Sequence, residues 1–398
     1  MKILRIIYDW PKPWQGLAPH PYELTTAQVK LGHKIEIFCG FWPKAGGVEE
    51  PEGVTVHPIM REPLPGTLAF TSSVLLFFQY LSWRSKNKID IIHTHGHFAI
   101  WIYLYRRILQ KFFPWAQELK TPLVAHFHNI AQSRKEKLEE RGADIKTETK
   151  YVSWPLEIFA NKLAVKTAAA CIFVSSDNRD DAIKMYGADP RRCFLAETSV
   201  NSDLFKPIGQ EEKEKSRKDM GLDMFDKVVL NHGVMSERKN INLLIDALAL
   251  LPNTYKLLLV GPGDSVYMEK MNENIKSKKV EDRVVKVGYT PYPQVPIAYQ
   301  VSDVFCLPSA WEGLPKAVMQ GLACGVPCLV SGFKVAEEIK GLYYLEKMEA
   351  SEIAQKIEKI IENPIPVDIQ KIVSKYSWER RAHEIDQIYD FAIKNYLV

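Results

Sequence analysis

Phe305-Cys306-Leu307-Pro308-Ser309-Ala310-Trp311-Glu312-Gly313-Leu314-Pro315 carries an apolar strand through a polar turn into a helix start. Proline suits the first helical turn, where its missing N–H would lack a partner anyway. A helix that opens at the end of a strand presents backbone N–H groups and the positive end of its dipole. That is a favourable seat for an anionic group. Glu312 adds a carboxylate that can accept from sugar hydroxyls. Taken alone, a Glu in this position reads more simply as a helix cap.

Outward from this turn, strand-like runs alternate with segments of helical period. Lys227–Asn231, Tyr255–Val260, Val284–Val287, Asp303–Leu307 and Pro327–Val330 form one series. Ile3–Tyr8, Lys34–Cys39, Val54–Ile59, Asp90–His93, Pro122–Phe127, Ala170–Ser175 and Cys193–Ala196 form an earlier one. Several are apolar on both faces, as strands covered by helices on both sides must be. The alternation predicts α/β structure with parallel sheets. Phe205-Lys206-Pro207 and the polar run Ile208–Met220 read as a passage between two such series. Two Rossmann-like domains are therefore expected, 1–205 and 206–379, which suits 398 residues better than one core. Ligands of such sheets bind beyond the carboxyl ends of the strands, so a cleft between the domains is the expected site. Trp378, Ile385, Ile388, Phe391 and Ala392 then mark a terminal amphipathic helix.

Charge and composition narrow the partners. The 52 basic and 48 acidic residues leave a net charge of +4, with no clustered basic footprint for nucleic acid. No apolar run reaches the roughly 18 residues of a spanning helix. Met1-Lys2 leads into an apolar stretch too short for a secretory signal. The six cysteines are scattered, and Cys324 and Cys328 have neither zinc-knuckle nor CxxC spacing. A cytoplasmic protein with reduced thiols is expected.

Two further clusters could carry chemistry. In Asn231-His232-Gly233-Val234-Met235-Ser236-Glu237-Arg238-Lys239-Asn240, a strand ends in glycine and two cations follow. Such cations could face a diphosphate, for which Arg is well shaped; a solvated Arg-Lys pair is the commoner fate. Alternation sends His126 and His128 to the same face at the end of an apolar strand. No third ligand stands near them in sequence, so no metal is expected. His93-Thr94-His95-Gly96-His97 follows another strand and reads as a wall or a hydrogen-bonded structural group.

In order and spacing, Pro308-Ser309, Glu312-Gly313 and Ala323-Cys324-Gly325-Val326-Pro327 resemble glycosyltransferase family 4. Gly32-His33-Lys34-Ile35, Val200-Asn201, Phe205-Lys206-Pro207, Lys239-Asn240, Gly261-Pro262-Gly263 and Tyr376-Ser377-Trp378-Glu379 extend the resemblance over nearly the whole chain. It implies the GT-B architecture, two Rossmann-like domains whose parallel sheets face across a cleft. The helix at about 380–398 would return to the first domain. It also implies a retaining transferase that uses a nucleoside diphosphate-sugar as donor substrate, with no cofactor and no metal. A glycan or lipid-linked molecule would be the acceptor.

By the same resemblance, Glu312 would contact donor-sugar hydroxyls, and Gly313, Leu314 and Pro315 would face the sugar and diphosphate. Lys239 and Arg238 would hold the leaving group near Gly233 and Gly261, and His128 would lie near the anomeric carbon. Two positions depart from the family. The ribose-holding Glu is replaced by Gln320, which hydrogen-bonds without charge, and Val234 stands where an Arg usually follows the glycine. Of the paired glycines after the first strand, only Gly16 is present, as a candidate phosphate contact. Architectural relatives include sugar-nucleotide 2-epimerases, and a non-catalytic binding protein of this fold is the other alternative.

Leu68–Lys88 and Phe98–Trp115 interleave apolar, aromatic and basic residues. Helices of that composition suit the inner membrane face beside a lipid-linked acceptor. The more ordinary reading is a pair of sheet-covering helices with aromatic anchors in the core. Arg134–Lys150, charged in both signs, reads as an exposed loop or helix beside the acceptor entrance.

Overall fold

The first series of apolar runs becomes seven strands: β1 (Lys2–Ile6), β2 (Lys34–Gly40), β3 (Val54–Met60), β4 (Ile91–His95), β5 (Leu123–Phe127), β6 (Ala170–Phe173) and β7 (Cys193–Leu195). They pair in parallel in the order β3-β2-β1-β4-β5-β6-β7. The order turns back on itself between β1 and β4, the switch point where such sheets bind ligands. The computed structural model describes residues 1–396 apart from 13, 15, 43–47, 61–63, 65–66, 141–144 and 336. Within the charged stretch Arg134–Lys150, the residues 141–144 thus lie outside the described residues; Ala131–Glu140 is a helix.

The chain divides into two units, Met1–Glu197 with Trp378–Val398, and Thr198–Ser377. The terminal helix Trp378–Tyr396 places Ala382, Ile385, Tyr389 and Ala392 in the first unit's core. Its Asp386 takes a hydrogen bond from Gln28 Nε2 at 2.8 Å and faces His33 Nε2 at 2.6 Å. A buried polar column continues inward: the Arg5 guanidinium donates to the oxygens of Gln28 and Thr25. These long-range partners fix where the helix docks, which periodicity alone does not.

In the second unit, β8 (Lys227–His232), β9 (Tyr255–Val260), β10 (Val284–Gly288), β11 (Val304–Leu307), β12 (Cys328–Val330) and β13 (Leu342–Tyr344) form a parallel sheet ordered β10-β9-β8-β11-β12-β13. β13 is a three-residue, half-buried edge strand that the sequence pattern does not reveal. Val200 and Phe205 belong to this unit's core, so the passage between units precedes Phe205. The polar run after it is no linker. Its helix Gln210–Asp219 buries Arg217, which donates to the carbonyls of Val301, Met224 and Asp226 and to Asp303 Oδ2 at 2.7 Å.

Candidate functional site

At the carboxyl end of β8 the backbone turns sharply at Gly233, with φ at 132°. A Cβ there would stand 2.4 Å from Lys239 Nζ, so the glycine leaves the space that the ammonium occupies. Gly261, at the end of β9 with φ at 130°, is required by a closer approach still, since its Cβ would meet the Gly233 carbonyl oxygen at 2.2 Å. Lys239 lies on a single helical turn, Glu237–Lys239, and is buried. Burial pulls its pKa below the usual lysine value and neighbouring Arg238 adds to this, while the Glu312 carboxylate opposes both. A buried ammonium close to a carboxylate is a strong electrostatic handle for an anion.

Arg238 points differently. Its Nη1 is 2.5 Å from Glu312 Oε1 and donates to the Trp311 carbonyl at 2.7 Å, and its guanidinium lies over the Trp311 ring. The turn is tied back from several sides. Ala310 N donates to the Arg238 carbonyl at 2.8 Å, Asn240 Nδ2 to the Pro308 carbonyl at 2.9 Å, and Ser309 Oγ to Glu312 Oε1 at 2.9 Å. Glu312 N reaches the Gly332 carbonyl at 2.8 Å. Glu312 and the adjacent Arg238 and Lys239, more than 70 residues before it, thus form one charged cluster at the ends of β8 and β11. Arg238 is not the solvated cation that its neighbour in sequence suggested.

Beyond Glu312, a Cβ on Gly313 would meet nothing within 4 Å. Leu314 packs partly against the second unit's core. Pro315 caps the helix Lys316–Ala323, one position before the first turn expected for it, because its ψ of 128° is extended. Its carbonyl accepts from Val318 N at 3.1 Å, which is the ordinary role of a cap. Gln320 is buried, and its Oε1 accepts from the Tyr299 hydroxyl at 3.3 Å. That hydroxyl lies 2.8 Å from His232 Nδ1. Burial, assisted by Lys239, pulls His232 down to about 3, so the imidazole is neutral at neutral pH.

In the first unit, His128 sits just beyond β5 with more company than the sequence reveals. Parallel pairing sets His95 opposite His126. His93 and His95 on β4, His126 on β5 and His128 just beyond it stack with their rings nearly parallel and ring centroids 4.6–5.4 Å apart. His93 Nε2 is 3.3 Å from His126 Nδ1, and His95 Nδ1 is 3.0 Å from His128 Nε2. His20, at the start of the helix Pro19–Lys30, stands edge-on to His126 and His128 at 5.0 and 4.6 Å. Burial, chiefly, pushes His93, His95 and His126 well below the usual histidine range. The third and fourth nitrogen donors missing in sequence around His126 and His128 are therefore supplied by the fold. The sequence holds half of the signal, a His-x-His pair at the end of each of two strands, β4 and β5; that the two strands are neighbours comes from the topology.

Gly16 has a local explanation. Its φ is 56°, and a Cβ would fall 2.5 Å from Asp9 Oδ2, the oxygen that accepts from Leu17 N at 3.1 Å. The cysteines carry no evident chemistry: all six are free, and burial pushes the thiols of Cys39, Cys171 and Cys306 far up.

The two aromatic-basic stretches resolve into two-faced elements. The helix Ile100–Phe112 buries Ile100, Ile102, Tyr103 and Arg106, whose guanidinium pairs with Glu118 at 2.6 Å. Trp101 Nε1 donates to the Phe70 carbonyl, and Trp83 packs on the core. On the outside, Ile108, Phe112, Phe113 and Trp115 are exposed beside Arg107 and Lys111, and the neighbouring helix Val74–Arg84 exposes Leu75 and Phe78. No described helix is long and apolar enough to cross a membrane.

Comparison with known proteins bears on both units. The model for Glycosyltransferase Family 4 matches residues 14–204, and that for Glycosyl transferases group 1 matches residues 212–380. The D-inositol 3-phosphate glycosyltransferase of Xylanimonas cellulosilytica is 24% identical over 358 residues, 82% of this chain and 79% of the relative. The UDP-Gal:alpha-D-GlcNAc-diphosphoundecaprenol alpha-1,3-galactosyltransferase of Escherichia coli is 25% identical over 324 residues, 76% of each chain. The crystal structure of Anabaena HepE in complex with UDP and glucose superimposes with a TM-score of 0.71 at 18% identity, over 97% of this chain and 98% of that one. With one model on each Rossmann-like unit and the fold shared end to end, the chain belongs to the group 1, family 4 glycosyltransferases of GT-B fold.

Proposed function

We propose that the protein is a retaining hexosyltransferase that moves a sugar from a nucleoside diphosphate-sugar to a hydroxyl of a lipid-linked glycan. The observation that carries this reading is the Lys239–Glu312–Arg238 cluster at the ends of β8 and β11. It combines a buried ammonium for phosphate with a carboxylate for sugar hydroxyls. Gly313 supports it, since the fold does not require a glycine where a Cβ would meet open space. A ligand approaching the backbone would.

In the proposed reaction the acceptor oxygen bonds to the anomeric carbon as the bond from that carbon to the diphosphate oxygen breaks. Both events take place on one face of the sugar, and a donor phosphate oxygen takes the acceptor's proton. Lys239 and the N–H groups opening the helix Lys316–Ala323 stabilise the charge on the departing diphosphate. Glu312 orients the sugar, and Arg238 holds Glu312 in place. None of these steps needs a metal ion. Gln320, at the position the family uses for ribose, offers a neutral contact to the nucleoside.

The lipid-linked acceptor rests on the face formed by Leu75, Phe78, Ile108, Phe112, Phe113 and Trp115, with Trp115 74% exposed. Arg107 and Lys111 border it, a combination suited to an anionic membrane surface. The Escherichia coli relative, named for a diphosphoundecaprenol-linked substrate, supports the same acceptor class.

The test supplies UDP- and GDP-hexoses together with a polyprenyl diphosphate-linked amino sugar in anionic vesicles. Release of nucleoside diphosphate should match glycolipid formation, and the anomer of the product should be that of the donor. An inverted product would remove the retaining assignment. Epimerised free sugar without glycolipid, or no turnover of any donor, would overturn the transferase reading.

A further inference from the structure

We propose that His20, His126 and His128 form a binding site for one divalent transition-metal ion of the zinc, cobalt and nickel class. One nitrogen from each of the three lies within 4.8 Å of those of the other two. A tetrahedral ion with bonds of about 2.0–2.1 Å holds its ligand nitrogens about 3.3–3.4 Å apart, more than 1 Å inside that limit. Rotation of imidazole rings about their terminal torsions, which are broad and soft, supplies the difference. His20 stands at 83° and 87° to the rings of His126 and His128. Its ring can therefore approach an ion from a direction that the parallel stack does not use.

The surroundings favour metal over a purely structural stack. His126 is fully buried, with Nδ1 toward His93 and Nε2 without a hydrogen-bond partner among the described residues. His93 is in turn held by the Tyr389 hydroxyl at 2.5 Å. Metal-binding histidines are commonly oriented in this way, with one nitrogen fixed by an outer partner and the other turned to the ion. Neutral imidazole suits zinc, nickel and copper better than magnesium or calcium, which prefer oxygen. His128 is only partly buried, which gives the ion a path of entry.

A second trio, His93, His95 and His126, meets the same distance condition. It is the poorer site. It is fully buried, His93 has its two nitrogens engaged by Tyr389 and His126, and the buried Arg5 guanidinium acts on all three rings. The outer trio would tie the start of the helix Pro19–Lys30 to the end of β5.

The experiment measures metal binding directly and needs no sugar transfer, so its outcome is independent of the proposed activity. Metal-free full-length protein is titrated with Co2+, followed by visible absorption and equilibrium dialysis. The expected result is one tightly bound equivalent with the d–d bands of a nitrogen-ligated ion. His20→Ala and His128→Ala should each weaken binding at least a hundredfold, and His93→Phe, which removes only an outer partner of His126, by about tenfold. Circular dichroism checks that each variant folds; His128, being part-exposed, is the substitution that still reads the site if His20→Ala fails to fold. Absence of a bound equivalent in the wild type, or binding unaffected in the folded variants of the outer trio, overturns the proposal. Loss in His93→Phe with retention in His128→Ala overturns it too, by placing the ion at the inner trio.

Discussion

Arg238 Nη1 lies 2.5 Å from Glu312 Oε1, so the two charged side chains assigned to the leaving group and to the sugar are bound to each other. The pair also takes in Ser309 and the Trp311 carbonyl. Being partly exposed, it contributes about 1 kcal/mol or less to folding. Its value to catalysis is another matter, because the carboxylate it positions would contact the substrate.

Glu312→Gln keeps the shape and removes the charge. Its expected cost in stability is at most about 1 kcal/mol, read by urea unfolding. Its expected effect on kcat/KM is a fall of about a hundredfold, equivalent to about 2.7 kcal/mol. Arg238→Ala should weaken transfer less, and combining the two should add little to Glu312→Gln. Equal, small losses in all three would make the pair structural.

Gly233→Ala should mimic loss of Lys239. The new methyl group would stand 2.4 Å from Nζ and displace it, and the φ of 132° resists a side chain as well. Displacing a charged hydrogen-bond donor is worth about 1.5–3 kcal/mol, or about 10- to 100-fold in affinity for a nucleoside diphosphate. Calorimetry on Gly233→Ala, Lys239→Met and the double variant should show nearly the same loss in all three. Additive losses would mean that the glycine serves something else.

Lys239 also sets a pH dependence. Burial lowers its pKa in the free protein, and a bound diphosphate favours the charged ammonium and so raises it. Binding should therefore take up protons, and affinity should fall as pH rises through the free protein's lowered value. Titrations in two buffers of different ionisation enthalpy measure the uptake. Lys239→Arg should abolish it, because a guanidinium stays charged throughout.

The buried histidines set a second dependence, on stability. His93, His95, His126 and His232 are bases whose folded values lie below the usual one. Above about pH 6.5 they are neutral in both states and contribute no slope. Below it the unfolded chain takes up protons that the folded chain refuses, so stability falls by about 1.4 kcal/mol per pH unit for each. Urea unfolding at pH 7.5, 6.5 and 5.5 should show the decline, and His232→Gln should flatten it by one proton's worth. A flat profile would mean that the imidazoles protonate in place.

What the sequence discloses follows the range of the interactions. Strands buried on both faces announce themselves by composition, and the turn Pro308–Pro315 by its residue types. β13 escapes because a three-residue edge strand of half-buried side chains leaves no pattern. The helix Gln210–Asp219 looks like a linker because Arg217 finds its partners as much as 86 residues away. Arg106, in the stretch Phe98–Trp115 for which two readings stood open, goes to the interior, where it pairs with Glu118. The histidine cluster becomes legible only when β4 and β5 are neighbours, which is a property of topology and not of either strand.

Gln320 offers the most discriminating test of the nucleoside side. Its Oε1 accepts from Tyr299, leaving a neutral amide where the family places a carboxylate. A neutral hydrogen bond to a ribose hydroxyl contributes about 0.5–1.5 kcal/mol, and one to a charged acceptor about 1.5–3 kcal/mol. The wild type should therefore prefer a nucleoside diphosphate over its deoxyribose analogues by no more than about tenfold. Gln320→Glu should widen that preference toward a hundredfold while lowering stability, because the new carboxylate is buried. The competing outcome is equally concrete. If neither protein distinguishes ribose from deoxyribose, Gln320 serves only to hold Tyr299 and His232, and the nucleoside must be recognised by other groups.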